Sequence, residues 1–468
     1  MLFNSDPFLL GFLPAVLAVH LALRGRRNAT ALWLIIASLV FYSWWDWRYI
    51  GLLLASAAAN YLIGGRIAAH QSAARAWLAA GIALDLTVLG LFKYLAFFAG
   101  IAGWRLGGSI VLPLGISFYT FTQIAFLIDL ARTGERPPGA RDYLLFVTWF
   151  PHLIAGPILH HRDMIPQFTS AGAFRASLDD LAAGATMLCL GLGKKVLLAD
   201  MLAPYVTPIF DQAGSPALLP AWIAAFAYSL ELYFDFSGYC DMAIGLSLLF
   251  GIRLPANFAS PYQAASIIEF WRRWHMTLAR FLRDDLYIPL GGNRSGLGRY
   301  GNILITMALG GLWHGAGWTY LVWGLVHGAY LCINHLARAR RLALPRGLTH
   351  AVTLLAVILA WVPFRAPDLG RAGTILVGLV GVNGLGQLDG DALGAVSLIG
   401  VLGMVVLAAP NTQTMLAAAR PTLTAIENPE RTRFAWRLSA GWAAAAGFVL
   451  AASLVRIGQA SPFLYFEF

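Results

Sequence analysis

Long apolar stretches separated by short polar or basic loops dominate the hydropathy pattern of this chain. A helix needs about 20 predominantly apolar residues to cross a bilayer, and stretches of nearly that length recur throughout the sequence. They lie near residues 7–23, 31–43, 50–66, 77–99, 143–160, 182–210, 217–235, 238–252, 301–312, 318–336, 350–364, 394–409 and 438–456. This pattern predicts an all-α polytopic membrane protein with about 10–12 transmembrane helices, folded as one domain over residues 1–468.

The composition agrees with this reading of the pattern. Hydrophobic residues make up 59% of the chain and charged residues 12%, against about 45–50% and about 25% in soluble proteins. The net charge of +10 comes from arginines in short loops between the apolar stretches, among them Arg24, Arg26, Arg27, Arg338, Arg340, Arg341 and Arg346. Cytoplasmic loops of membrane proteins carry such an excess. We therefore expect these loops to face the cytoplasm and to contact membrane lipids. We expect no nucleic acid as a partner.

Some apolar segments are interrupted by proline and glycine. Residues 112–120 and 150–158 are of this kind, and broken or re-entrant helices at membrane depth occur only where they are buried in protein or line a cavity. The segment Gly311 to Trp318 places His314 beside Trp313 and before two glycines, so a helix is expected to break around it. An ionisable residue in an apolar span is a functional-site hypothesis by default. We therefore predict that His314 is catalytic rather than a satisfied core histidine.

A second histidine lies in a basic, aromatic segment. From 266 to 286 the pattern is that of one amphipathic helix in the cytoplasmic interface, with Trp271, His275, Leu278 and Leu282 on one face. We predict His275 as the second catalytic residue. Arg272 and Arg273 lie elsewhere on that helix. Two interpretations stay open for them, because guanidinium groups bind phosphates of a ligand and of lipid headgroups equally well.

Further polar groups occur within apolar sequence. Glu231, Asp235, Ser237 and Asp241 would line a wet cavity, pair with arginines or form a proton path. On the helix after His314, His327 shares a face with Tyr320, Gly324, Leu331 and Asn334, which favours packing or support over catalysis. The paired glycines before Asn293 allow a close backbone approach to a ligand. We predict substrate contacts for Trp271, Arg272, Arg273, Trp274, Asn293, Trp313, Tyr320, Asp235 and Ser237.

Three further histidines raise the question of a metal site. His152, His160 and His161 lie near the end of one apolar stretch. No carboxylate or thiol completes an obvious tetrahedral ligand set. We therefore predict no metal.

Several of these segments resemble the membrane-bound O-acyltransferase family, and within it the alginate O-acetyltransferase branch. The resemblance extends over essentially the whole chain. It rests on residues 113–121 (PLGISFYTF), 150–157 (FPHLIAGP), 233–239 (YFDFSGY), 270–275 (FWRRWH), 287–294 (YIPLGGNR), 311–315 (GLWHG) and 323–328 (WGLVHG). The near-invariant histidine of the family matches His314, and its second active-site polar residue matches His275.

The resemblance implies a fold, a reaction and partners. Transmembrane, re-entrant and interfacial helices would surround a central tunnel, which the acyl donor enters from the cytoplasm and the acceptor from outside. With no bound cofactor, the enzyme would move acetyl from acetyl-CoA, its co-substrate, across a bacterial inner membrane. The acetyl group would reach an exopolysaccharide, alginate-like or cellulose-like, through an extracytoplasmic partner of the serine-hydrolase type. In this reading His314 is the base that activates a hydroxyl, and the arginines hold the CoA phosphates.

Three other functions compete with this one. A sister branch of the family transfers D-alanine from a carrier protein to teichoic acid. A transporter or flippase would also use intramembrane carboxylates and broken helices, although no internal repeat is apparent and the His314 segment counts against it. A purely structural subunit would leave His314 unexplained.

Overall fold

The protein is built from helices. The computed structural model describes residues 1–104, 110–294, 296, 298–342, 344–424, 433–459 and 463–464. Within these ranges the only extended pairing is an isolated parallel bridge between Leu254 and Thr422. The predicted all-α class is therefore confirmed.

Twenty-one α-helices follow one another along the described chain. The first eleven are α1 Leu13–Ala22, α2 Arg27–Asp46, α3 Ile50–Ala69, α4 Ala74–Leu89, α5 Leu95–Ile101, α6 Ile116–Thr133, α7 Ala140–Thr148, α8 Phe150–Leu153, α9 His161–Thr169, α10 Leu178–Gly193 and α11 Ala203–Asp211. The others are α12 Leu218–Leu249, α13 Ile267–Arg273, α14 Met276–Phe281, α15 Gly298–His314, α16 Trp318–Ala339, α17 Arg346–Arg365, α18 Leu369–Leu379, α19 Gly390–Ala408, α20 Thr412–Met415 and α21 Ala440–Arg456. Short π-helical segments adjoin several of them, including Pro7–Phe12, Lys194–Ala199 and Leu282–Tyr287.

The chain divides into two compact units. The first contains Met1–Leu192, Tyr239–Ala256 and the described residues from Thr412 onwards. The second contains Gly193–Gly238 and Asn257–Asn411, and it holds both predicted catalytic histidines. The single domain over 1–468 stays a prediction.

Several helices have the length and composition of membrane spans. Within the described residues, five continuous helical stretches qualify: Arg27–Ala69, Gln71–Ile101, Leu178–Ala199, Arg346–Arg365 and Gly390–Ala408. Shorter apolar helices cover Pro7–Ala22, Leu369–Leu379 and Ala440–Arg456. A multi-pass membrane protein is thus confirmed, and the count of ten to twelve crossings stays a prediction.

Two predicted boundaries are wrong. The stretches near 217–235 and 238–252 form the single helix α12, because Gly238 costs only about 1 kcal/mol inside a helix and no proline follows it. The stretch 143–160 is not one helix. Helix α7 ends at Thr148, and the new short helix α8 begins at Phe150. Pro151 lies in its first turn, where the missing N–H group is not needed.

Candidate active site

The hairpin of α15 and α16 positions His314. Helix α15 ends at His314, and α16 begins at Trp318 after three residues outside the helices, so the predicted break is confirmed. The two helices approach so closely that a Cβ atom on Gly311 would lie 2.2 Å from the carbonyl oxygen of Tyr320. A Cβ on Gly324 would lie 2.2 Å from the carbonyl oxygen of Met307. Only glycine allows backbones to approach in this way.

This close packing yields a matched pair of substitutions on one helix. We expect Gly311→Ala to destabilise the protein by about 1–3 kcal/mol, because the backbone of α16 must move to admit the methyl group. Gly301→Ala is the control, since its Cβ would meet open space and alanine is the better helix former by about 1 kcal/mol. Thermal unfolding in detergent measures both. Equal melting temperatures for the two variants would contradict the tight hairpin.

Aromatic rings enclose the imidazole of His314. Its ring centroid lies 4.9 Å from that of Trp313, 5.1 Å from that of Trp323 and 5.2 Å from that of Phe364. Only 4% of the residue is exposed to solvent. The imidazole therefore lies in an apolar pocket from which bulk water is largely excluded.

His275 belongs to the same cluster. Its ring centroid lies 6.3 Å from that of His314 and 5.9 Å from that of Trp313. On its other side it meets the ring of Phe236 on α12 at 4.9 Å. The structure thus brings both predicted catalytic histidines together, and His275 is completely buried.

The predicted continuous helix from 266 to 286 is wrong, because it breaks at His275. The backbone of His275 is left-handed, with φ 44° and ψ 54°, and it separates α13 from α14. Such a conformation costs a non-glycine residue about 1–2 kcal/mol. The predicted common face of Trp271, His275, Leu278 and Leu282 therefore does not exist as one helical stripe.

Hydrogen bonds from a distant segment explain the break. Residues 257–259 pair with the backbone of the junction through Met276 N–H to Asn257 O (3.0 Å) and Ala259 N–H to Arg273 O (3.0 Å). The side-chain oxygen of Asn257 accepts the N–H of Thr277 at 3.1 Å, the Thr277 hydroxyl at 3.0 Å and Nδ1 of His275 at 3.2 Å. These non-local bonds replace helical ones and hold the His275 ring.

The predicted aromatic contacts also lie near the histidines. The ring of Trp271 meets that of Trp323 at 5.9 Å, and Trp274 meets Trp361 at 5.0 Å. Tyr320 meets Phe364 at 5.4 Å. With Trp313, these side chains form a continuous aromatic wall beside His314.

The predicted phosphate ligands and Asn293 have surface environments. Arg272 is exposed, and Arg273 forms an ion pair with Glu269 at 2.6 Å. Asn293 is exposed and accepts a hydrogen bond from the Tyr287 hydroxyl at 2.8 Å. Partial burial raises the pKa of Tyr287, so this hydroxyl keeps its proton at neutral pH. These contacts leave the substrate-binding roles of the three residues as predictions.

Asp235 and Ser237 are buried on α12. The carboxylate of Asp235 lies 2.6 Å from Nζ of Lys195, which also lies 2.9 Å from the carboxylate of Asp200. Pairing with a lysine was not among the predicted alternatives, which were a wet cavity, pairing with arginines and a proton path. Ser237 is 1% exposed.

The three histidines considered for a metal have other contacts. His152 bonds through Nε2 to the carbonyl oxygen of Phe146 at 3.0 Å. Nδ1 of His160 and Nδ1 of His161 lie 3.0 and 3.4 Å from the same Asp129 oxygen, so a carboxylate distant in sequence does reach this pair. In the part of the chain that the structure describes, no group of three or more metal-ligating side chains forms.

Sequence reasoning assigned no role in the site to Trp323, Trp361 and Phe364. Each lies on a helix whose facing partner is set by tertiary packing, so no local signal places these rings against His314. The role of Asn257 was not predicted either, although it is a polar residue in apolar sequence. The one available signal is an amide directly before an aromatic residue between two helical segments, which is common in loops.

Known proteins resemble this chain over most of its length. A model of the membrane-bound O-acyltransferase family matches residues 116–364. The peptidoglycan O-acetyltransferase of Helicobacter pylori is 41% identical over 82% of this chain and 81% of its own. A probable alginate O-acetylase of Azotobacter vinelandii is 44% identical over 80% and 76%. The teichoic acid D-alanyltransferase of Bacillus subtilis is 27% identical over 64% and 79%.

Proposed function

We propose, since the chain belongs to the membrane-bound O-acyltransferase family, that it moves acetyl from cytoplasmic acetyl-CoA across a bacterial inner membrane for O-acetylation of an exopolysaccharide. The family makes the protein an acyltransferase. One observation carries the proposal further: the ring centroids of His314 and His275 lie 6.3 Å apart, and both histidines are buried beside the aromatic wall. This arrangement supplies a base and a second polar group while keeping water from a thioester.

The proposed chemistry assigns the proton to His314. Its neutral imidazole takes the proton of the acceptor hydroxyl as the oxygen attacks the thioester carbonyl carbon. The tetrahedral intermediate collapses with cleavage of the carbon–sulfur bond. The thiolate of CoA then takes the proton from the imidazolium, so the histidine returns to its neutral form.

His275 and the aromatic wall support this step. The hydrogen bond that Nδ1 of His275 donates to the side-chain oxygen of Asn257 fixes the orientation of the His275 ring. The other ring nitrogen, Nε2, is then an acceptor in the neutral ring, so His275 orients His314 or the acceptor hydroxyl by accepting a hydrogen bond. Trp313, Trp323 and Phe364 surround His314 and limit hydrolysis of the thioester.

The acceptor is proposed from relatives. Two of them are named as O-acetyltransferases acting on alginate or on peptidoglycan, and both acceptors are glycans with sugar hydroxyl groups. We infer an extracytoplasmic partner of the serine-hydrolase type that receives the acetyl group and passes it to the exopolysaccharide.

The test is donor turnover by the purified full-length protein in nanodiscs. Labelled acetyl-CoA is supplied with alginate, cellulose or peptidoglycan fragments, with and without candidate partners, and both free CoA thiol and transferred label are measured. Thiol release with label on a glycan supports the proposal, and the labelled glycan identifies the acceptor. Turnover only with a D-alanyl carrier protein would replace it with the function of the teichoic acid D-alanyltransferase relative.

A separate prediction concerns His275. We expect His275→Gly to keep its fold, because glycine adopts the left-handed backbone without cost, and to lose about a hundredfold in transfer rate. His275→Asn keeps a polar side chain that tolerates this backbone, so it should recover part of the rate. If the glycine variant transfers acetyl at the wild-type rate, the imidazole has only a structural role.

A further inference from the structure

His327 is a buried imidazole enclosed by aromatic rings. It is 0% exposed. Among the described residues, neither Nδ1 nor Nε2 finds a hydrogen-bond partner. Aromatic rings surround it instead: Trp323 at 5.0 Å, Trp271 at 5.2 Å, Tyr330 at 5.9 Å, Trp361 at 6.0 Å and Phe270 at 6.1 Å. Buried polar groups are nearly always paired, so a bound group that reaches these nitrogens inside this cage of rings would satisfy them.

Two of the surrounding rings also have a nitrogen without a hydrogen-bond partner among the described residues. The indole nitrogens of Trp271 and Trp323 are buried, and the described part of the chain offers neither of them an acceptor. Indole only donates, whereas a neutral imidazole both donates and accepts. Three adjacent rings therefore present N–H donors and an acceptor nitrogen together. Their complement is a group with carbonyl oxygens and N–H donors, such as a secondary amide.

The cage lies on a polar stripe of α16, which contacts His314 at the end of α15. Tyr320, Trp323, His327, Tyr330 and Asn334 follow at intervals of three and four residues, so they share one helical face. Trp323 meets His314. The face runs about 16 Å from Trp323 to Asn334 at the helical rise. The buried side-chain oxygen of Asn334 also lacks a partner among the described residues.

The far end of the stripe approaches basic sequence. Helix α16 continues from Asn334 to Arg338 and ends at Ala339, and Arg340, Arg341 and Arg346 follow. The arginine content of this loop assigns it to the cytoplasm. The stripe thus leads from the cytoplasmic side of the second unit to the reacting histidine.

We propose that His327, with Trp271 and Trp323, binds the amide groups of the pantetheine arm of the thioester donor. This inference rests on the proposed function, because acetyl-CoA carries its thioester at the end of a chain with two secondary amides. Each amide offers one carbonyl acceptor and one N–H donor, which matches the unpaired nitrogens of the cage. His327 then positions the donor and takes no proton from the reacting atoms.

Donor discrimination tests this role. We compare kcat/KM for acetyl-CoA with that for S-ethyl thioacetate, which lacks amides, in wild type and His327→Phe in the same nanodiscs. The small thioester partitions into the lipid to the same extent with both proteins, so this effect cancels when the variant is compared with wild type. We expect the preference for acetyl-CoA to fall about five- to tenfold, mostly through KM. Trp271→Phe removes one donor without touching His327 and should lower the preference independently.

Matched variants separate binding from packing. His327→Gln keeps a hydrogen-bonding group and should recover part of the preference, whereas His335→Phe, on another face of α16, should leave it unchanged. An equal fall with both thioesters, or an unchanged preference, overturns the inference. Failure of the proposed function looks different, because the wild type would then use neither thioester or would use them without His314.

Discussion

Replacing His314 by alanine lowers the rate of acyl transfer by about 10²–10⁴-fold, the contribution of a general base, while the protein remains folded in the membrane. The imidazole lies at the end of α15, with Trp313, Trp323 and Phe364 around it. A hydroxyl is a poor nucleophile at neutral pH unless a base takes its proton. Release of CoA thiol and transfer of label measure the loss.

The structure provides a second variant and a control for this prediction. His314→Gln retains most of the side-chain volume but cannot act as a base, so it should be as inactive as the alanine variant with a smaller loss of packing. His335→Ala removes a half-buried histidine from α16 and should transfer at the wild-type rate. A folded His314→Ala protein with undiminished transfer would remove His314 from the mechanism.

Local signals in the sequence were sufficient to predict the helix break at His314. The glycines after it predicted the end of α15, and the structure ends that helix at His314 itself. Residue type and spacing suffice here, because the break is encoded by residues next to the histidine. The apolar stretches likewise predicted the all-helical class, because nearly every helix has an apolar stretch in its own local sequence.

The geometry at His275 depends on residues distant in sequence. The segment 266–286 has an unbroken helical pattern, but Asn257 and its neighbours take over the backbone hydrogen bonds at the junction. The energy of those bonds outweighs helix propensity, which amounts to less than 1 kcal/mol for most residues. The rings of Trp361 and Phe364 likewise come from a segment distant in sequence, helix α17. Only tertiary packing determines such contacts.

The sequence also did not predict that both ring nitrogens of His327 would lack a hydrogen-bond partner among the described residues. Its helical face predicts burial, and burial alone favours an ordinary core histidine with a partner. The deficit appears only when the neighbours prove to be aromatic rings. A donor-binding role for His327 would extend the site from His314 along α16, so this helix would supply both Trp323 of the aromatic wall and the residues that bind the donor.

A large loss of stability is expected on replacing Lys195 by methionine. Its ammonium group lies 2.6 Å from the Asp235 carboxylate and 2.9 Å from that of Asp200, and the side chains of Lys195 and Asp235 are each 1% exposed. Removing the cation leaves a buried carboxylate without its counter-ion, which costs about 3–5 kcal/mol. Lys194→Met makes the same chemical change at the adjacent, half-buried position and should cost less. Melting temperatures in detergent compare the two, and equal losses would contradict the prediction.

The double variant Lys195→Met/Asp235→Leu then decides what Asp235 does. Replacing both members of a buried ion pair by apolar groups is often nearly neutral, so the double variant should regain the stability that Lys195→Met loses at Asp235. The loss of the ion pair between Lys195 and the less buried Asp200 remains in both variants. The non-additivity of the two substitutions reports the strength of the pair. If the ion pair only joins α12 to the segment after α10, acetyl transfer returns with stability. If Asp235 contacts substrate, as the sequence predicted, the double variant is stable but transfers poorly.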